Sequence, residues 1–191
     1  MFDRVKASLE KVAESLDESR IFDISEEQRE RFKTYGQDMP EPLPALVGRH
    51  GERQVNLDFI PWAEKKYVMV LDIGLRSPFE MFIEKKGGER GLQVIRTRVP
   101  LSEIEWGDDE FRRKYVVQAC LLPLVQKFLE DKTVAGLIGK LKGFEKVTID
   151  LRYVRIYHFF ETGSRPDSRA IVSEIKILSK IADKIEALSR K

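Results

Sequence analysis

The chain has 191 residues, 42% hydrophobic and 35% charged, with 34 Lys and Arg against 32 Asp and Glu and a formal net charge of +2. That length suits one domain, or one domain with an appended arm, and the near balance of charge argues against a dedicated nucleic-acid binder. One cysteine, Cys120, rules out an intrachain disulfide, and neither it nor the two histidines, His50 and His158, stands at a metal-ligand or catalytic spacing.

The charge is unevenly spread. Residues 1–31 carry six bases against nine acids, and residues 152–191 carry nine bases against five acids. Ends of opposite sign can attract each other, within one molecule or between two.

In chain order, Phe2, Val5, Leu9, Val12 and Leu16 recur at alternating steps of three and four. This narrow stripe predicts a helix over 2–19. It is either docked on its own domain or offered to a partner, including a second copy, so these five residues are the candidate partner interface. A second helix is expected from Ser25, where Ser25 and Gln28 have capping-box form and Phe32 and Tyr35 follow as anchors. Pro40, Pro42 and Pro44 then favour extended backbone. They set the expected division into an N-terminal helical arm, 1–36, and an α+β sheet domain, 45–191.

From 45 to 118 the pattern is that of strands. Ala45–Arg49 and Gln54–Ile60 flank a turn at His50-Gly51-Glu52-Arg53, with Val55, Leu57 and Phe59 alternating with Asn56 and Asp58. Tyr67–Ile73 and Phe79–Glu84 read as a further hairpin across Gly74 and Ser77-Pro78. Lys85–Gly91 is a turn, Leu92–Val99 a strand and, after a loop, Lys114–Gln118 a short strand. Leu121–Leu129 and Val134–Leu141 read as helices. Lys146–Phe160 is either one long strand or two with a bend. Asp167 or Ser168 caps a long C-terminal helix, on which Ile171, Ile175, Leu178, Ile181, Ala182, Ile185 and Leu188 make a broad apolar stripe. The predicted fold is therefore α+β: an antiparallel sheet of about five to seven strands packed against helices.

Gly107-Asp108-Asp109-Glu110-Phe111 resembles the signature of diguanylate cyclases. However, Trp106 stands where the first glycine belongs. The stretch back to Asp72, the candidate metal aspartate, also holds Gly87, Gly88, Gly91, Pro100 and strand alternation where those enzymes are helical. A second resemblance covers residues 45 to 160. Gly48, Gly51, Arg53 and Val55, then Pro78-Phe79, then Gly107-Asp108, Phe111 and Tyr115-Val116-Val117 resemble a loosely defined group of uncharacterised prokaryotic proteins. Their pattern has a Gly-Asp-x-x-Phe segment after a run of antiparallel strands. The chain departs from it at Arg112, where the pattern has aspartate. The resemblance implies a fold and carries no activity. On physical grounds Gly107 permits a turn, Asp108 bonds amides in it and Phe111 packs beneath.

Gly136–Leu141 lacks the spacing and the hydroxyl of a phosphate loop. Arg152–Phe160 mixes bases and aromatics as a single-strand nucleic-acid surface would, although core packing explains it as well. Asp58, Asp72, Glu80, Asp108, Asp109 and Asp150 lie on or near strands and could cluster.

Charged residues at the N-terminus and the lack of a long apolar run predict a cytoplasmic protein with no membrane span. No cofactor is implied. Three functions remain open from the sequence. The first is a non-catalytic protein-binding or assembly module, whose partners include a second copy of the chain in a homodimer. The second is a carrier of a small apolar ligand. The third is a carboxylate- and metal-dependent enzyme acting on nucleotides.

Overall fold

The structure, a computed structural model, describes residues 1–23, 43–63, 66–87 and 101–189. The elements in order are α1 (Phe2–Ala13), β1 (Asp17–Phe22), β2 (Ala45–His50), β3 (Arg53–Ala63), β4 (Lys66–Gly74), β5 (Met81–Lys85) and β6 (Ser102–Ile104). Then come α2 (Asp109–Lys114), β7 (Tyr115–Ala119), α3 (Leu122–Glu130), α4 (Lys132–Ile138), β8 (Lys146–Ile149), β9 (Tyr153–Glu161) and α5 (Ser168–Ser189). The fold is α+β, with strands hydrogen-bonded in the order β1-β2-β3-β4-β9-β8-β5-β7-β6.

Among the described residues the sheet has nine strands, more than the sequence pattern suggested, for three reasons. The helix expected over 2–19 ends at Ala13, and residues 17–22 turn back as β1 to pair with β2, Arg20 facing Val47 and Ile21 facing Leu46. Strand β6 has only three residues, too few to show an alternation. The run 146–160 divides at a turn, because Asp150 Oδ1 accepts hydrogen bonds from the amides of Arg152 (2.7 Å) and Tyr153 (2.9 Å). The hairpin expected between β4 and β5 does not form: β5 pairs with β7 and β8 instead. The expected helix from Ser25, the strand Leu92–Val99 and the prolines at 40 and 42 lie outside the described residues.

Two compact units make up the chain. The first comprises Met1–Ile73 with Tyr157–Lys176, the second Gly74–Ile156 with Ile177–Lys191. In the first, β1 to β4 form an antiparallel meander in which Leu46 faces Leu57 and Leu57 faces Leu71. Period-two alternation sends Leu46, Val55, Leu57, Leu71 and Ile73 to one face, all fully buried. Phe160 of β9 joins that core, its ring 5.6 Å from Phe59. Helix α1 packs on β1 and β2, with Asp3 in its first turn and Lys11 in its last, the signs its dipole favours.

In the second unit β5 is the middle strand. Met81 faces Ala119 and Ile149, and Ile83 faces Val117 and Val147, and all six are buried. Val125 and Phe128 of α3, Val134 and Ile138 of α4, and Leu178, Ile181, Ala182 and Ile185 of α5 supply the helical part of the core. The expected C-terminal stripe is thus real along its length, except that Leu188 is half-buried.

Asp131 joins two helices here. Its Oδ1 accepts from the amide of Thr133 (2.7 Å) as the cap of α4, and its Oδ2 meets Lys184 Nζ of α5 at 2.9 Å. Those bonds, Lys184 first, lower its pKa from 3.8 to about 2. A lowered carboxylate contributes stability above the unfolded value and loses it as pH falls through the folded one. Between pH 3.8 and about 2, thermal melts of Asp131→Asn should therefore lose less stability per pH unit than those of the unaltered protein.

Candidate functional site

Three of the five candidate interface residues lie inside the chain's own first unit. Val5, Leu9 and Val12 are fully buried, while Phe2 and Leu16 are half-buried. Leu16 lies beyond the end of α1 yet still faces inward, over Gly48. A Cβ at Gly48 would stand 3.0 Å from Leu16 Cδ1 and 3.2 Å from Ser19 Cβ, so the missing side chain lets the turn after α1 settle on β2.

The same reversal creates a groove. As β1 doubles back beside α1, an open depression of about 550 Å³ forms within the first unit, lined by Lys6, Glu10, Glu14, Ser19, Ile21 and Asp23 among others. Ser19 Oγ donates to Ala13 O at 3.2 Å and ties the strand to the end of the helix. Lys6 Nζ donates to Asp23 Oδ2 at 2.8 Å and ties the helix to the residue that follows β1. That bond raises the lysine pKa above its usual value, so Lys6 stays charged and matched to Asp23. The carboxylates of Glu10 and Glu14 give the groove its acidic character. The sequence held these residues but not their meeting, since a helix running on to 19 would have no strand beside it.

The Gly-Asp-x-x-Phe segment is a structural joint. Gly107 has φ +87° and Asp108 caps α2, its Oδ1 accepting from the amide of Phe111 at 2.8 Å. The ring of Phe111 lies 5.0 Å from Trp106 and 4.9 Å from Tyr115, which stacks on Phe144 at 4.6 Å. Asp109 pairs with Arg112 and Glu110 with Lys114 on the exposed side of α2. This short helix stands where the sequence suggested a loop.

The other singled-out acids do not converge on one point, although Asp58 and Asp72 are diagonal neighbours on one face of β3 and β4. Asp150 pairs with Arg155 at 2.8 Å, Asp58 is exposed and Asp72 faces Asn56 across two strands. Among the described residues no three of His, Cys, Asp or Glu gather in a way that could hold a metal ion. Cys120 is buried, its Sγ accepting from the amide of Glu80 at 3.2 Å.

His158 does have a carboxylate beside it, contrary to what its sequence neighbours suggest. Its Nε2 lies 3.0 Å from Glu174 Oε1, both side chains largely buried in the first unit. The partner comes from α5, so local spacing could not reveal it.

No protein-family model matches the chain, and no curated protein matches it. Among solved structures, the crystal structure of the mycobacterial trehalose monomycolate transport factor A, TtfA, is similar. The TM-score is 0.57 at 11% sequence identity, over 98% of this chain and 93% of that one. The two chains share a fold. At that identity the likeness concerns architecture, and it spans both units of this chain together with α1 and α5. No helix among the described residues is long and apolar enough to cross a membrane.

Proposed function

We propose that this chain is a non-catalytic protein-binding module, and that the groove between α1 and β1 takes a basic segment of the partner. The observation that carries this reading is the charge of the groove, where Lys6 is already matched to Asp23 while Glu10 and Glu14 line the opening. Complementary charge raises association rates and selects partners more than it adds raw affinity. The whole-length likeness in fold to a chain titled a transport factor is compatible with a binding role of this kind.

The test uses two labelled peptides, an oligolysine and an oligoglutamate, titrated against the full chain at low and at physiological salt. The lysine peptide should bind, perturb the amide signals of Glu10, Glu14 and Ile21, and weaken with salt. Glu10→Lys with Glu14→Lys should cost it roughly tenfold in affinity. Equal binding to the doubly reversed chain, or a preference for the acidic peptide, would remove the reading.

A second reading, a carrier of a small apolar ligand, is favoured by one observation: the similar chain TtfA is by its title a factor in the transport of trehalose monomycolate.

A further inference from the structure

Two leucines stand in solvent at one end of the second unit, Leu121 56% exposed and Leu151 58%. The topology brings them together. Strands β7 and β8 flank β5, with Ala119 and Ile149 opposite Met81 from its two sides. Both strands therefore run the same way and finish level, two strand spacings or about 10 Å apart. Leu121 follows β7 and Leu151 follows β8, each by two residues. The segment leading into β5 lies between them: Ser77 N donates to Leu151 O (3.3 Å) and Cys120 N to Glu80 O (3.0 Å).

The needs of the fold explain neither leucine. Leu121 is held at φ 52°, ψ 52°, a left-handed conformation that costs an L-residue with a Cβ about 1–2 kcal/mol. It is also the N-cap of α3 and offers no side-chain acceptor there. Asparagine would suit both the conformation and the cap. Leu151 sits in the β8–β9 turn, where Asp150 makes the capping bonds and polar residues are the usual occupants. Local preferences broken together in one place mark residues kept for something other than folding.

Both side chains ride on chain reversals and stand more than half exposed. A protein partner would need two matching pockets, whereas a bilayer accepts projecting apolar side chains anywhere on its surface. Arg76 and Arg152 are exposed beside them and present guanidinium groups suited to phosphate. Of the nearby carboxylates, Asp150 is engaged by Arg155, Glu186 accepts from the amide of Arg76 at 3.0 Å, and Glu80 is half-buried. We infer that this end of the second unit is a membrane-contacting tip, with Leu121 and Leu151 entering the interfacial layer of a bilayer and Arg76 and Arg152 meeting anionic headgroups.

Cosedimentation of the full chain with vesicles tests this, using phosphatidylcholine alone and phosphatidylcholine with phosphatidylglycerol. The chain should bind the anionic vesicles more tightly than the neutral ones. Leu121→Asn with Leu151→Asn should weaken binding to the anionic vesicles about tenfold, and Arg76→Glu with Arg152→Glu should abolish the preference for them. Because asparagine relieves the left-handed strain and can cap α3, Leu121→Asn alone should melt no lower than the unaltered protein, which separates lost binding from lost folding. Undiminished binding by the double asparagine variant overturns the inference. Failure of the unaltered chain to bind either vesicle also overturns it, and leaves the two leucines to a protein partner.

Discussion

Replacing Gly107 by valine is expected to destabilise the protein by about 3 kcal/mol, seen as a fall in melting temperature of about 10 °C for a chain of this size. Two effects add. The φ of +87° is open to glycine and costly for any residue with a Cβ, most of all a β-branched one. Independently, a Cβ there would stand 2.7 Å from Phe111 Cδ1 and 2.9 Å from Cγ, inside any real contact. Phe111 has little room to withdraw. Its ring is packed between Trp106 and Tyr115, and Trp106 is itself anchored by its indole N–H donating to Leu129 O at 3.0 Å. Gly107→Asn separates the two effects, since asparagine tolerates positive φ but brings the same Cβ, so its cost should fall between wild type and valine. A valine variant melting within a degree or two of the wild type would show that the joint is not held as described.

This segment was legible in the sequence because its logic is local: a glycine for the turn, an aspartate three residues before the amide it caps, and an aromatic to close over it. The C-terminal helix was legible for a similar reason, as its apolar positions repeat at helical spacing over the whole of Ile171–Ile185. What could not be read depends on residues distant in sequence. Strand β5 pairs with β7 and β8, and nothing in Met81–Lys85 distinguishes those neighbours from β4, which precedes it. Strand β1 hid because the apolar spacing of α1 carries on to Leu16, which packs inward on Gly48 although the helix has ended, and because Asp17–Arg20 are polar enough to pass for a helix surface. The groove was lost along with that strand. His158 and Glu174 meet only once β9 and α5 are both in place.

The helix boundary also decides how the α1 stripe should behave. With Val5, Leu9 and Val12 fully buried within their own unit, Leu9→Ala is expected to cost about 3 kcal/mol, the range for removing a buried leucine side chain. The more telling expectation concerns concentration. A stripe that packs on β1 and β2 of the same chain gives a urea midpoint, for wild type and variant alike, that does not move as protein concentration is raised a hundredfold. A stripe that served as the seam of a dimer would tie folding to association, so the wild-type midpoint would climb with concentration by mass action and Leu9→Ala would flatten the climb. Urea melts at two concentrations, paired with sedimentation velocity, separate the cases. A concentration-dependent midpoint that Leu9→Ala abolishes would mean that α1 leaves its own unit to meet a second copy.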